Sequence, residues 1–162
     1  MLRTTAILAA MTLSAPAFAA SHATGDAAAG EDVFRQCITC HVIQDDDGET
    51  IAGRGQPNRA APNLYGVWGR QAGTIEEFNY SDSMVEAGEA GLMWNQEDFV
   101  AYVQDPTGFL REYLDDNRAR GKMSFRVRSE DDAANVWAYL VQFGGGAPEG
   151  EMEEGEEAPA SN

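Results

Sequence analysis

Residues 37–41 read Cys37-Ile38-Thr39-Cys40-His41, and the interpretation of the whole chain starts from this stretch. The pattern Cys-x-x-Cys-His is typical of covalent attachment sites for c-type haem. Each thiol can bond one vinyl group of the porphyrin, and the histidine that follows can reach the iron. A two-residue gap suits a single helical turn, which brings both sulfurs and the imidazole to one side. The motif therefore predicts one haem c, covalent through Cys37 and Cys40, with His41 as an iron ligand.

Other uses of a Cys-x-x-Cys pair fit this sequence less well. A thioredoxin-like redox pair needs a βαβ setting, which a Gly-rich and strand-poor sequence does not offer. A structural zinc site needs four ligands, and His22 is the only further histidine. A disulfide would close a loop too short to stabilise the fold much. Haem attachment uses both of the chain's cysteines.

The first residues have the composition of a secretion signal. Arg3 supplies a positive n-region, residues 6–13 are apolar, and residues 17–19 read Ala-Phe-Ala, a small-x-small cleavage site. The apolar run is too short to span a membrane; an N-terminal anchor helix is the alternative. We predict a signal peptide over residues 1–19, a haem domain over 20–143 and export to the periplasm. Because c-type haem is attached outside the bacterial cytoplasm, the leader and the haem motif agree.

The chain is strongly acidic, and its charges are sorted along the sequence. It has 11 Lys+Arg and 27 Asp+Glu, a formal charge of −16, which argues against nucleic acid or anionic membrane surfaces as partners. Residues 51–75 and 117–128 nevertheless contain no acid. The basic side chains that we expect at an interface are Arg54, Arg59, Arg118, Arg120, Lys122, Arg126 and Arg128. This sorting predicts a positive face on a negative molecule.

Residues 144–162 differ in composition from the rest of the chain. They contain six glutamates, no basic residue and almost nothing apolar. Such a segment cannot bury enough apolar surface to offset the entropy of folding. We predict an acidic, disordered tail.

Local signals between these ends predict a mainly helical domain. Asp26 is a suitable N-cap for a helix that starts near Gly25. Asn95, with Asp98 three residues later, predicts a helix over 96–104, and a shorter helix is expected over 108–114. Ser129, with Asp132 at the same spacing, opens a last helix that runs to the glycines at 144–146.

The segments between the predicted helices carry two further expectations. Asp45, Asp46 and Asp47 precede Gly48, but their spacing does not match the alternating oxygen ligands of a calcium loop, so a solvated turn is the preferred interpretation. Residues 51–75 are rich in Gly, Arg and Asn with little apolar periodicity. We predict an ordered loop there.

A second motif resembles a known family. Residues 61–70 read Ala-Pro-Asn-Leu-Tyr-Gly-Val-Trp-Gly-Arg, which is similar to the Pro-Asn-Leu-x-Gly-x-x-Gly-Arg segment of class I cytochromes c. With the haem motif, the chain most resembles the bacterial cytochrome c2 / cytochrome c550 group, from about Gly25 to Phe143. The resemblance implies an all-α class I cytochrome c fold, with helices and loops wrapped around one haem. Positions that match the crossing of the terminal helices are Gly30, Phe34, Val136 and Tyr139.

The resemblance also implies a second iron ligand. Residues 121–125 read Gly-Lys-Met-Ser-Phe and are similar to the Thr-Lys-Met-x-Phe ligand loop of the family, which implies Met123. An open sixth position or a bis-histidine site with His22 is the alternative, and Met84 and Met93 are further methionines in a helical or turn stretch. Met/His ligation raises the reduction potential and leaves no position for a substrate.

Other residues around the haem acquire roles by the same resemblance. The carbonyl of Pro62 would accept the second N–H of the His41 ring and fix its orientation. Tyr102 matches the tyrosine that bonds the methionine sulfur, and Phe125 matches the aromatic residue at the haem edge. Positions that match propionate-binding residues are Arg70, Tyr80 and Trp94.

The function implied is that of a periplasmic carrier of single electrons rather than an enzyme. We expect a monomer that accepts an electron from a quinol-oxidising, bc1-type complex through its basic face. The acceptor would be a terminal oxidase, a reductase or a photosynthetic reaction centre. The rivals are a haem enzyme or gas sensor with an exchangeable sixth ligand, and a haem domain that belongs permanently to a larger complex.

Overall fold

Helices dominate the regular structure of residues 23–145, the part of the chain that the computed structural model describes. The helices are α1 (Ala27–Phe34), α2 (Asp82–Glu89), α3 (Gln96–Gln104), α4 (Pro106–Tyr113) and α5 (Glu130–Leu140). No helix within this range is long and apolar enough to cross a membrane. The predicted signal peptide, His22 and residues 146–162 of the predicted tail lie outside the described residues.

Polar side chains set where the helices begin. Asp26 caps α1, Asn95 caps α3 and Ser129 caps α5, and each accepts hydrogen bonds from backbone N–H groups two or three residues further on, at 2.8–3.2 Å. These bonds satisfy donors that the first turn of a helix leaves without a partner. The three residues predicted to cap helices therefore do so, and α3 has the predicted bounds.

Two helix boundaries differ from the prediction. Helix α4 begins at Pro106 rather than Gly108, because Asp105 accepts a hydrogen bond from Gly108 N at 3.1 Å and proline suits a first helical position. The Asp-Pro pair that ends α3 thus also starts the next helix. Helix α5 ends at Leu140, earlier than the glycines that were expected to stop it.

A short β-hairpin follows the haem motif and was not predicted. Strands β1 (Ile43–Gln44) and β2 (Thr50–Ala52) pair antiparallel, so that β2 occupies the start of the predicted loop 51–75. At the turn, Asp45 Oδ1 accepts hydrogen bonds from the backbone N–H groups of Asp47 and Glu49 at 3.1 and 2.7 Å. The carboxylate at position 45 therefore organises the turn, in line with the expected acidic turn.

The terminal helices α1 and α5 cross in close contact. A Cβ atom at Gly30 would overlap the carbonyl oxygen of Asn135 and lie 2.9 Å from Tyr139 Cβ. The rings of Phe34 and Tyr139 are 5.4 Å apart between centroids, and Trp137 is fully buried. The crossing therefore depends on a residue without a side chain at position 30.

Buried side chains form two clusters with a cavity between them. The first holds Phe34, Ile43, Val67, Phe99, Val103, Val127, Ala133, Val136, Trp137 and Leu140. The second holds Ala72, Met84, Ala87, Leu92, Leu110 and Ala119. Trp94 and Tyr102 pack against both clusters, and residues from each line the cavity.

Candidate haem-binding site

The cavity has a volume of about 510 Å³, within the range of small-molecule and cofactor sites. All nine residues predicted to bind the haem line it: Cys37, Cys40, His41, Pro62, Arg70, Tyr80, Trp94, Tyr102 and Met123. Much of the remaining wall is apolar and buried, as with Phe34, Val67, Phe99 and Val136. The fold thus brings together residues that lie up to 86 positions apart in the sequence.

The haem motif continues the chain from α1 as a series of tight turns. Cys37 N and Ile38 N both bond to Phe34 O, at 2.7 and 3.2 Å, and His41 N bonds to Cys37 O at 2.9 Å. These bonds place His41 one helical turn beyond Cys37, as the spacing predicted. Burial and the neighbouring thiol raise the pKa of Cys37 to about 11, whereas a reactive Cys-x-x-Cys pair has a lowered pKa. The redox-pair interpretation is therefore disfavoured.

His41 is held in a single orientation. Its Nδ1 donates to the carbonyl oxygen of Pro62 at 2.8 Å, which is the expected hydrogen bond. Burial lowers the pKa of His41, and the bond to Pro62 opposes that shift. With the proton on Nδ1, the lone pair of Nε2 is free to bind a metal ion.

Asn63 anchors the segment that carries Pro62, a role that the sequence did not reveal. Its side chain accepts from Gln44 N at 3.0 Å and donates to Gln44 O at 2.7 Å. Leu64 N also bonds to Val42 O at 2.9 Å. These bonds tie the loop to the chain just beyond His41 and so keep the Pro62 carbonyl beside the imidazole. The Pro-Asn-Leu motif indicated that Asn63 belongs to a functional segment, but it did not indicate which groups Asn63 would bond.

Arg70 places a positive charge at the cavity wall. Its guanidinium donates to Tyr65 O at 2.9 Å and to Asn63 O at 3.0 Å. Burial lowers the pKa of Arg70, and Tyr80 opposes that shift. Within residues 23–145 Arg70 forms no ion pair. A desolvated cation is stabilised by an anion, so this end of the cavity fits the propionate groups of a haem.

Met123 reaches the cavity from the loop between α4 and α5. Backbone hydrogen bonds hold the loop on both sides of the methionine, from Gly121 N to Thr107 Oγ1 at 3.3 Å and from Val127 N to Val103 O at 2.9 Å. Met84 is a second methionine in the cavity wall. Met93 does not line the cavity and is 46% exposed.

Comparison with known proteins gives the family. No family model matches the chain. Cytochrome c2 of Rhodovulum adriaticum is 62% identical over 121 residues, which are 75% of this chain and 94% of that protein. Cytochrome c-551 of Roseobacter denitrificans is 50% identical over 146 residues, 90% of this chain and 98% of that one. The X-ray structure of cytochrome c2 from Rhodobacter sphaeroides aligns with a TM-score of 0.71 at 54% identity, over 76% of this chain and 99% of that one.

The chain belongs to the cytochrome c2 group. It is a class I c-type cytochrome with one haem c bound covalently through Cys37 and Cys40, and it is an electron carrier rather than an enzyme. The all-α class I fold expected from the sequence is confirmed, with the β1–β2 hairpin as a small addition.

Tyr102, a half-buried residue, adds a hydroxyl to the lining of the haem cavity of this cytochrome. Burial raises the pKa of Tyr102 well above its usual value, with Tyr80 adding to the shift. Its ring packs edge-on against Trp94 and Phe109, with centroids 5.1 and 5.8 Å away. A hydroxyl that stays protonated can donate a hydrogen bond inside the cavity.

One edge of the haem cavity opens to solvent. Most of the lining residues are buried or half-buried, but one group is exposed. This group is Gln36, Thr39, Cys40, Ala60, Lys122, Ser124 and Phe125. We call it the mouth of the cavity. It includes Cys40, one of the two haem-binding cysteines, so a haem attached there would be within reach of solvent at the mouth.

Replacing Arg70 with lysine should destabilise the cytochrome by about 1–2 kcal/mol, because one ammonium cannot hold the carbonyls of both Asn63 and Tyr65 as the guanidinium fork does. Guanidinium unfolding of the haem-containing protein measures the loss. Arg35→Lys is the matched control: Arg35 pairs with Asp32 on the surface and is 71% exposed, so its loss should stay within about 0.5 kcal/mol. Equal losses in the two variants would show that the fork contributes nothing.

Proposed function

We propose that this cytochrome works in the periplasm, taking one electron from a quinol-oxidising, bc1-type complex and passing it to a terminal oxidase, a reductase or a photosynthetic reaction centre. His41 and Met123 are the iron ligands in this proposal. The location is supported by the predicted signal peptide. The main support for docking is that Lys122 lies at the mouth of the cavity and that Arg59 and Arg126 are next to mouth residues in the sequence.

The chain's own residues would hold the two proposed iron ligands in fixed orientations. The bond to Pro62 fixes the His41 ring, and the anchored loop presents the thioether of Met123. When bound, the haem supplies a one-electron iron couple whose potential is raised by Met/His ligation. Because both ligands come from tightly hydrogen-bonded segments, a change of oxidation state requires little movement of the protein. Arg70, Tyr80 and Trp94, which also line the cavity, would hold the propionates.

Three exposed basic side chains lie at the mouth of the cavity or next to it in the sequence. Arg59 precedes Ala60, Lys122 is itself at the mouth, and Arg126 follows Phe125. We call the set the basic surface: Arg54, Arg59, Arg118, Arg120, Lys122, Arg126 and Arg128, all of them exposed. Two members form ion pairs, Arg118 with Asp116 at 3.3 Å and Arg126 with Asp105 at 2.8 Å. The others form no ion pair within residues 23–145, although Arg59, Arg120 and Lys122 donate hydrogen bonds to neutral oxygens.

The basic surface supports docking through charge. On a chain with 27 acidic residues, a positive surface around the mouth gives the molecule a strong dipole. Such a dipole orients encounters with an acidic docking site on a membrane complex and raises the association rate. Guanidinium groups can bind the partner's carboxylates in a fork. A small, transient interface suits a carrier that must leave again.

The rate of reduction by a purified quinol-oxidising complex should therefore fall as salt is added. Arg128→Gln should lower the low-salt rate roughly twofold, because it removes one steering charge from the basic surface. Ala28→Glu is the matched control, since it lowers the net charge by the same one unit at an exposed position in the first turn of α1, a helix that contributes no residue to the mouth of the cavity. Its effect should be smaller, and the two rates should converge at high salt.

A rate that is flat or rises with salt would contradict docking through the basic surface. So would an equal loss in both variants, because it would reflect net charge rather than position. The far-red absorption of the ferric protein, which reports sulfur–iron bonding, should be the same in both variants and in the parent.

A further inference from the structure

We propose that residues 146–162 act as an internal competitor for the basic surface and occupy it when no partner is bound. We call these residues the acidic segment. It has no basic residue, and its six acids are Glu149, Glu151, Glu153, Glu154, Glu156 and Glu157. The proposal rests on the docking surface of the proposed function and adds its regulation.

The acidic segment is tethered beside the haem cavity. The chain leaves the described fold after α5, where Phe143 O accepts a hydrogen bond from Gly66 N at 3.2 Å. The neighbouring Tyr65 is in turn held by Arg70, which lines the cavity. The last described residues therefore lie against the same loop that forms part of the cavity wall.

The acidic segment is long enough to reach any part of the basic surface. Its 17 residues span up to roughly 56 Å when extended. A folded body of the size of residues 23–145 has a radius of gyration of about 14 Å, and hence a diameter of about 35 Å. Tethering to the same molecule also raises the local concentration of the glutamates at the basic surface to the millimolar range.

Electrostatic attraction favours binding of the acidic segment to one part of residues 23–145, which we call the body. Outside the basic surface, residues 23–145 hold three Lys and Arg side chains, so positive charge is sparse there. Arg35 pairs with Asp32 at 3.1 Å, Arg111 donates to Ala119 O at 3.3 Å, and Arg70 binds two carbonyls within the cavity wall. The body's many exposed carboxylates repel the segment elsewhere. The basic surface is where opposite charge is concentrated.

Occupation by the acidic segment would make docking selective. A partner must offer a stronger acidic site than the segment's own glutamates, so weak anionic surfaces are rejected at low ionic strength. Salt screens the internal contact as well as the external one. The segment should therefore lower the rate of encounter most when ionic strength is low.

Lys122 allows a direct test because it is the chain's only lysine, and it lies at the mouth of the cavity. A water-soluble carbodiimide joins a carboxylate to an amine in contact with it, forming an amide and releasing a urea. In dilute, haem-containing full-length protein at low salt, we expect Lys122 to be joined within the same molecule to a glutamate at 149–157. Peptide mass spectrometry identifies the linked residues. The link should disappear in about 1 M salt, where the Debye length is about 3 Å.

An unmodified Lys122 at low salt, or one joined only to carboxylates of residues 23–145, would overturn the proposal. A variant in which all six glutamates of the segment are replaced by glutamine should give no such link. Because this experiment needs no redox partner, its failure would leave the salt dependence of reduction, and with it the proposed function, untouched.

A kinetic experiment distinguishes the effect of where the glutamates lie from the effect of net charge. Oxidation of the reduced cytochrome by hexacyanoferrate(III), an anionic probe, should be several-fold faster at low salt when the six glutamates of the segment are neutralised. The matched control neutralises six exposed acids of the body: Glu31, Asp46, Asp47, Glu49, Glu97 and Glu130. It changes net charge equally but should accelerate the reaction less. Equal rates for the two variants would overturn the proposal.

Discussion

Replacement of Met123 by alanine is expected to abolish the far-red absorption band of the ferric protein and to let carbon monoxide bind the ferrous form without denaturant. The thioether is a soft ligand that favours Fe(II), so the reduction potential should also fall, by on the order of 0.1 V out of the roughly 0.8 V that axial ligation spans in haem proteins. Visible spectroscopy and a redox titration measure these changes.

Met84→Ala is the matched control, because Met84 is the other methionine in the cavity wall. It is 5% exposed and packs with Leu92 and Leu110 in the second buried cluster. Its truncation should cost about 2–5 kcal/mol of stability through the space it leaves, while the far-red band and the resistance to carbon monoxide remain. Loss of the band in this variant, with retention in Met123→Ala, would reverse the ligand assignment. Binding of carbon monoxide by the parent would favour a gas sensor or haem enzyme.

The helices were predictable because their starts depend on local chemistry. Asp26, Asn95 and Ser129 cap helices in the structure as their positions in the sequence indicated. The β-hairpin was not predictable in the same way, because its strands have only two and three residues. So short a pairing depends on the bonds from Asn63 to Gln44, which join distant parts of the chain.

More of the candidate site than of the fold could be predicted from the sequence, because the residues that carry its chemistry are concentrated in short motifs. The haem motif and the segment at 61–70 indicated the cysteines, His41, Pro62 and Arg70, and all of them line the cavity. The sequence could not indicate that Arg70 holds the carbonyls of Asn63 and Tyr65. That contact depends on how the loop closes on itself, and composition does not encode it.

Five members of the basic surface, at positions 118–128, lie in the same segment as Met123, the proposed iron ligand. Lys122 precedes Met123 and donates a hydrogen bond to Asn79 O, while Arg120 N bonds to Ser83 Oγ at 3.1 Å. Residues proposed for docking thus also hold the loop that carries Met123. Substitutions for testing docking are therefore best made at Arg128, for which the structure gives no polar contact among the described residues and which lies five positions from Met123.

Replacement of Gly30 by alanine is expected to destabilise the cytochrome by about 2–3 kcal/mol, although alanine is the better helix former by about 1 kcal/mol. The new methyl group would overlap Asn135 O and crowd Tyr139 Cβ. Most of the obstruction is backbone of α5, so no side chain can rotate away and the helices must separate. Guanidinium unfolding of the haem-containing protein, followed by tryptophan fluorescence, measures the loss.

We expect the crossing also to affect the proposed iron ligands, since α1 leads directly into the turn that carries His41 and α5 follows the loop that carries Met123. Gly30→Ala should therefore weaken the far-red band at a lower denaturant concentration than in the parent. Gly55→Ala is the control: a Cβ there would lie 3.8 Å from Val42 Cγ1, an ordinary contact, so stability and the band should be nearly unchanged. An unfolding midpoint of Gly30→Ala equal to that of the parent would mean that the helices tolerate the extra carbon. Close contact between α1 and α5 would then not determine the distance between the segments that carry His41 and Met123.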